Sequence, residues 1–272
     1  MKDLAQKSFL SESDVSAYRE NGFLFLPGHY SSGEMEVVRK ELSAIYALDS
    51  PGRVMENDQT TVRSVYGSHA DNPLMRRLAH HEKLVRPAME ILENDVYVHQ
   101  FKINVKAAFR GDVWPWHQDF IFWQQEDGMP RPDVVNAVVF VDEVTEFNGP
   151  LMLLPGSHQK HVLPTIVDAG AVGWLPNLTA DLKYSLSQDV VRQLVEGHQI
   201  AAPKGPVGSV LFFDCNLAHA SVPNLSPFDR QVIIISFNST TNRPTNLSRP
   251  RPEFLVSRDC SPIRDLFTGP IK

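Results

Sequence analysis

With 272 residues, 42% of them hydrophobic and 21% charged, the sequence describes a soluble globular chain long enough to bury a large core. Its formal net charge of −6 argues against a nucleic-acid surface, and no apolar run approaches the roughly 20 residues that span a bilayer. The first seven residues carry positive charge with no apolar stretch behind them, so no signal peptide is expected and the protein is expected in the cytoplasm. The two cysteines, Cys215 and Cys260, stand in no zinc or redox spacing, and Cys215 reads as a small buried filler. Without repeats, low-complexity tracts or a long linker, residues 1–272 are expected to form a single domain, as a monomer or a homodimer.

In chain order, the first element is a helix capped by Ser11 or Ser13, with Val15 and Tyr18 on one face and Asn21-Gly22 as its stop. Residues 23–26 read as a short buried strand. A second helix from about Ser32 carries Met35, Val38, Leu42, Ile45 and Tyr46 at mostly three- and four-residue steps. Residues 56–69 are polar and turn-rich, a candidate lid, in which Arg63 is either a solvated charge or a substrate contact. Two short helices, over 72–79 and 82–92, flank His80 and His81. From Asp95 the period changes to two, with one slip near Gln100-Phe101, so that Gln100, Lys102 and Asn104 share a strand face. Alternation alone would point that face at solvent.

The metal signal follows. In an extended strand, residues i and i+2 point the same way, so His117 and Asp119 offer one ion an imidazole and a carboxylate. Further strands are expected over 134–141, 151–154, 210–213 and 231–237, separated by Gly, Pro and Asn turns. The segment 162–199 breaks this spacing and reads as a long loop followed by a helix, 187–196, whose Val190, Val191 and Leu194 face inward. It is a candidate for shaping a substrate mouth. His219, just after the apolar run 210–213, supplies a distant third ligand. Two histidines and a carboxylate on one face of an ion leave open positions opposite, the arrangement of non-haem iron(II) oxygenases. Arg230 then opens an apolar strand, where a forked cation needs an anionic partner: a bound carboxylate, or one of the chain's own 32 acidic residues. Many strands, with a metal pair on one and a distal histidine on another, fit a mainly β double-stranded β-helix, a cupin-like jelly roll with supporting helices.

Taken together, these stretches resemble the phytanoyl-CoA dioxygenase family of Fe(II)- and 2-oxoglutarate-dependent oxygenases, and within it the ectoine hydroxylase branch. The resemblance is carried by His99-Gln100-Phe101-Lys102-Ile103-Asn104, by Trp116-His117-Gln118-Asp119-Phe120 with Trp123, and by Glu126-Asp127-Gly128-Met129-Pro130. It continues through Asn148-Gly149-Pro150 to Pro155-Gly156-Ser157-His158, Phe213-Asp214-Cys215-Asn216-Leu217 with His219, and Arg249-Pro250-Arg251-Pro252-Glu253-Phe254. It implies iron(II) on His117, Asp119 and His219, and 2-oxoglutarate clamped by Arg230 with Ser221, near Lys102 and Asn104. Substrate would lie near Gln100 and Trp123, with Arg63 at its entrance.

The implied reaction consumes O2 and releases succinate and carbon dioxide while a small-molecule substrate is oxidised at a C–H bond. Related halogenases lack the carboxylate ligand, so an intact Asp119 implies hydroxylation, desaturation or ring closure instead. The sequence departs from the ectoine pattern at Ile121-Phe122, which replaces a more polar pair, and at Ile234, where that branch is expected to carry a phenylalanine against its substrate. The expected substrate is therefore a small polar metabolite such as an amino acid, an imino acid or a natural-product intermediate, with ectoine not favoured. Two alternatives are an acyl-CoA thioester, which would need Lys160, Arg249, Arg251 and Arg258 to cluster at the mouth, and a metal-binding jelly roll without oxygenase activity.

Overall fold

A computed structural model of the chain describes residues 8–196, 199–245 and 250–272. Its elements in order are α1 (Glu12–Asn21), β1 (Phe23–Leu26), α2 (Ser32–Ala47), β2 (Arg53–Met55), β3 (Val62–Tyr66), α3 (Pro73–Ala79), α4 (Glu82–Leu92) and β4 (Val96–Lys106). There follow β5 (Trp114–His117), α5 (Asp119–Asp127), β6 (Val134–Phe140), β7 (Leu151–Leu153), β8 (Thr165–Val167), β9 (Tyr184–Leu186), α6 (Gln188–Val195), β10 (Val210–Asp214), β11 (His219–Ser221) and β12 (Arg230–Ser239).

The helix ends follow from their capping residues. Ser11 and Ser31 each accept a bond from the third helical residue, whose carboxylate returns one to the cap N–H, a reciprocal pair that satisfies two otherwise orphaned donors. Gly22 ends α1 at φ 81°, a conformation open to glycine because it has no Cβ.

Seven strands pair in the order β1-β10-β6-β12-β4-β3-β2, and three in the order β5-β11-β7. The pairings are antiparallel throughout. The large sheet is buried on both faces. One face, with Phe101, Ile103, Val105, Val139, Phe212, Ile233, Ile235 and Phe237, packs under α2, α3 and α4 through Met35, Val38, Leu42, Met75, Leu78, Leu84 and Val85. The other face, with Asn104, Val138, Phe140, Phe213, Val232 and Ile234, meets His117, Leu151, His219 and Ser221 of the small sheet across a cavity. This two-sheet enclosure, with helices against the outer face, is the expected double-stranded β-helix arrangement.

Three expectations are corrected. Residues 62–66 are not a lid loop: β3 is built into the large sheet between β2 and β4. The stretch 162–199 is less irregular than its glycines and prolines suggest, since β8 and β9 form a ladder within it. That hairpin is tied to α5, with Lys183 Nζ and Tyr184 Oη donating to Glu126 at 2.5 and 2.7 Å. The slip in β4 falls at His99, because Ser236 pairs with Gln100 and Phe237 with Val98, leaving His99 as the extra residue of a bulge.

Candidate active site

His117 ends β5 and His219 begins β11, and the two are register partners in adjacent strands. Their ring centroids lie 4.1 Å apart. Asp119 does not continue the strand. Gln118 keeps an extended backbone at φ −118° and ψ 139°, which aims Asp119 to the same side as His117, and Asp119 then opens α5. The two-residue argument therefore holds for one step and stops. Gln118 points the opposite way, is buried, and anchors the turn: its amide donates to Asn216 O at 2.5 Å and to His161 O at 2.8 Å.

Asp119 Oδ1 lies 3.6 Å from His117 Nε2 and 3.8 Å from His219 Nε2. One ligand atom from each residue can be chosen so that all lie within 4.8 Å of one another. Both imidazoles donate from Nδ1 to a carbonyl two residues back, Pro115 O at 2.6 Å and Leu217 O at 2.9 Å. Those bonds fix the tautomer and leave each Nε2 lone pair aimed at the common point, the usual outer support of metal-ligating histidines. Burial, followed by the neighbouring His117, lowers the His219 pKa to about 4, so the ring is neutral near pH 7. Burial raises the Asp119 pKa, but His219, His117 and Lys102 outweigh it and leave the carboxyl at about 2. Asp119 Oδ2 is held from behind by Asn136 Nδ2 at 2.9 Å, and Asn136 Oδ1 in turn accepts from Ser236 Oγ at 2.6 Å.

The same cavity extends to a second polar cluster. Arg230 Nη2 donates to Gly149 O at 2.7 Å, while its Nε is buried with no partner. Ser221 Oγ and Asn104 Oδ1 are likewise buried and unpartnered, and all three residues line the cavity. Native structures rarely leave so many buried polar atoms unsatisfied in one place, so their clustering points to a polar guest. Burial lowers the Arg230 pKa only to about 10, so the guanidinium is cationic near pH 7 and suited to a carboxylate. The face holding Gln100, Lys102 and Asn104 lines this cavity and does not face solvent. A histidine–carboxylate–histidine set at one end and a guanidinium with a free Nε beside a free hydroxyl at the other fit an iron(II) ion and a dicarboxylate such as 2-oxoglutarate.

The sequence profile of the phytanoyl-CoA dioxygenase (PhyH) family matches residues 18–232. The chain belongs to that family. It is 36% identical over 249 residues to L-proline trans-4-hydroxylase from Streptomyces griseoviridis, covering 90% of this chain and 92% of that one. It is 34% identical over 269 residues to ectoine dioxygenase from Sphingopyxis alaskensis, covering 96% and 88% of the two. The crystal structure of EctD from S. alaskensis with 2-oxoglutarate and 5-hydroxyectoine superposes with a TM-score of 0.84 at 30% identity, over 100% of this chain and 92% of that one. The same protein with bound Fe gives 0.83. This member of the phytanoyl-CoA dioxygenase family is thus an Fe(II)- and 2-oxoglutarate-dependent dioxygenase on a jelly-roll fold.

Beside His117 and Asp119, this dioxygenase has a smaller hollow, also lined by Gln100, Lys102, Trp114, Trp123, Asn177 and Arg251. Lys102 Nζ sits 3.9 Å above the Trp114 ring. Trp123 is buried edge-on against His99 at 5.1 Å and borders this hollow, while Ile234 borders the main cavity. Arg251 is buried and bidentate to Asp127 at 2.8 and 2.6 Å.

Arg63 is the sequence candidate that the structure does not bring into either hollow. It is buried behind Trp114, its carbon Cζ 3.9 Å from the ring centroid. Its donors go to Glu56 at 3.0 Å, Leu178 O at 3.1 Å and Val113 O at 2.7 Å. It is neither a solvated charge nor free to meet a substrate: it ties three segments together.

Several functional candidates escaped sequence reasoning. Asn136 and Ser236 each interrupt a run of apolar strand residues, which is the signal that could have found them. Lys106 continues the polar face of β4 by one more step of two. It is buried, paired in register with Arg230, and donates to Asp112 O and to Val222 O. Burial and the neighbouring Arg230 lower its pKa to about 6. Asp127 and Asn177 gave no sequence signal as site residues.

Proposed function

We propose that His117, Asp119 and His219 hold the iron(II), that Arg230 with Ser221 receives the far carboxylate of 2-oxoglutarate, with Lys102 and Asn104 beside it, and that the enzyme hydroxylates a small polar metabolite. The reading rests on one observation: a histidine–carboxylate–histidine set shares a cavity with a guanidinium Nε, a hydroxyl and an amide oxygen that are buried without a hydrogen-bond partner. Bound iron and 2-oxoglutarate supply the oxidising power, taking O2 and releasing succinate and carbon dioxide. The chain's own groups do the rest. The two Nδ1 anchors keep both imidazoles aimed, Asn136 fixes the carboxylate, and the walls of Val138, Phe140, Phe213 and Val232 keep water from the far end. Gln100, Trp123 and Ile234 orient the substrate.

The relatives named for proline and for ectoine support an amino acid, a cyclic imino acid or a similar natural-product intermediate as substrate. An acyl-CoA substrate is less well supported. Arg251 is neutralised by Asp127, Arg258 donates to Arg251 O, Lys160 is exposed on a separate turn, and Arg249 lies outside the described residues. The reading takes residues 1–272 as one oxygenase domain acting in the cytoplasm. Among the described residues no helix is long and apolar enough to cross a membrane.

Anaerobic addition of iron(II) and 2-oxoglutarate is the deciding experiment. A weak visible charge-transfer band should appear for a keto acid chelated on such a site, and should vanish in His219→Ala and Arg230→Leu. Metal binding without a band, or undiminished iron-dependent turnover in Asp119→Gly, would remove the assignment.

A further inference from the structure

Within the segment 162–199, a short 3-10 turn, Leu175–Leu178, carries Asn177 into the smaller hollow beside His117 and Asp119. The residue is only 6% exposed, yet both Nδ2 and Oδ1 of its side chain are buried with no partner. A fully orphaned amide is unusual, because each unsatisfied group forfeits the hydrogen bonds it had in water. The turn itself is pinned. Arg63 Nε donates to Leu178 O at 3.1 Å, Asn177 N donates to Trp174 O at 3.1 Å, and Leu178 packs with Tyr66, Leu255 and Val256. Asn177 is thus held in place while its functional group is left for something else.

We propose that Asn177 is a substrate-binding residue, and that it reads a zwitterionic α-amino or cyclic imino acid through one donor and one acceptor. This inference rests on the hydroxylase reading above. Nδ2 would donate to the substrate carboxylate, and Oδ1 would accept from its primary or secondary ammonium N–H. Charge balance favours a ligand of no net charge. The hollow's guanidinium, Arg251, is matched bidentately by Asp127, its Lys102 is set electrostatically against the Asp119 carboxylate, and Asn177 itself is neutral. A ligand carrying both charges close together satisfies both ends of the amide, which a simple carboxylate or a simple amine does not.

The test uses the full chain loaded with iron(II) and 2-oxoglutarate. Succinate release above the substrate-free background is measured with a panel of free amino and cyclic imino acids, L-proline first, and with their methyl esters and N-acetyl derivatives. At least one free zwitterion should stimulate release, and each derivative should fall at least about tenfold in kcat/KM, as expected when a buried donor or acceptor loses its partner. Asn177→Leu should raise KM about tenfold or more, and more than it lowers kcat, while the anaerobic band persists. Asn177→Asp should move the free-acid to methyl-ester ratio toward the ester, because a carboxylate keeps the amine contact and repels the acid. A purely structural role for Asn177 would not shift that ratio. The inference is overturned if the band forms but no free amino or imino acid stimulates release, or if Asn177→Leu leaves KM unchanged. Absence of the band would instead defeat the hydroxylase reading itself.

Discussion

Asn136 Nδ2 donates to Asp119 Oδ2 at 2.9 Å from a strand otherwise made of valine, alanine and phenylalanine, so one carboxylate oxygen is held at the back while the other faces both imidazoles. Ser236, on the neighbouring strand, orients the amide in turn. Asn136→Leu should therefore free Asp119 to rotate and weaken iron(II) binding about 10- to 100-fold, the usual cost of losing such an outer partner. Calorimetric titration of the metal-free protein reads this directly. Ser236→Ala should have the same sign and a smaller size, and unchanged affinity in Asn136→Leu would show that the bond carries no positioning role.

At the other end, Gly149 lends its carbonyl to Arg230 while adopting φ +75°, and a Cβ there would stand 2.8 Å from both Lys106 Cδ and Val222 O. Gly149→Ala combines a disfavoured backbone with two clashes. It should cost about 1–3 kcal/mol in denaturant unfolding and weaken 2-oxoglutarate binding. Arg230→Leu should weaken 2-oxoglutarate binding by about 100-fold or more without a comparable loss of iron affinity. Titrating 2-oxoglutarate anaerobically while following the visible band separates the two effects.

The Arg251–Asp127 pair is almost fully buried. Asp127→Ala leaves a guanidinium inside the protein without its counter-charge and should destabilise by about 3–5 kcal/mol. Replacing both, as Asp127→Leu with Arg251→Met, should recover much of that loss, because the desolvation cost disappears with the charges. Equal melting temperatures for the single and double variants would argue that Asp127 acts through another contact.

Burial lowers the His99 pKa to about 3 and the His69 pKa to about 4, the first reinforced by Arg251 and Arg258, the second by His80 and Arg76. Each folded value lies below that of the unfolded ring, so between about pH 6.5 and 4 the unfolded chain binds the extra protons. These two rings should therefore add no pH dependence above pH 6.5 and a loss of stability on acidification below it, of up to about 1.4 kcal/mol per pH unit for each ring, on top of the rise with pH that the lowered pKa values of Lys106 and His219 contribute. Urea unfolding of the metal-free protein from pH 7.5 to 4.5 tests the sign, and His99→Phe should flatten the slope. A flat profile in the parent protein would count against both rings being neutral in the fold.

Much of this was legible one residue at a time. Ser11, Ser31 and Gly22 mark helix ends by local hydrogen bonding and by glycine's access to positive φ, and the strands of the large sheet announce themselves by apolar runs. His117 and Asp119 were readable as a pair because extended backbone at Gln118 carries both to one side, His219 because it follows an apolar run, and Arg230 because it opens one. What the sequence could not decide is where a polar side chain finds its partner. Asn104 and Asn136 look like ordinary strand asparagines, yet the first is left orphaned and the second is bound to Asp119, which follows from which strands pair and which face closes over the cavity. Arg63, a loop charge by its neighbours in sequence, becomes a buried tie because β3 joins the large sheet and brings Glu56, Val113 and Leu178 to its guanidinium. Asn177 acquires a role only when its turn is folded against the ligands. Local propensity and period act over a few residues, whereas satisfaction of a buried hydrogen bond depends on contacts as far as 115 positions away, which only the closed tertiary structure supplies.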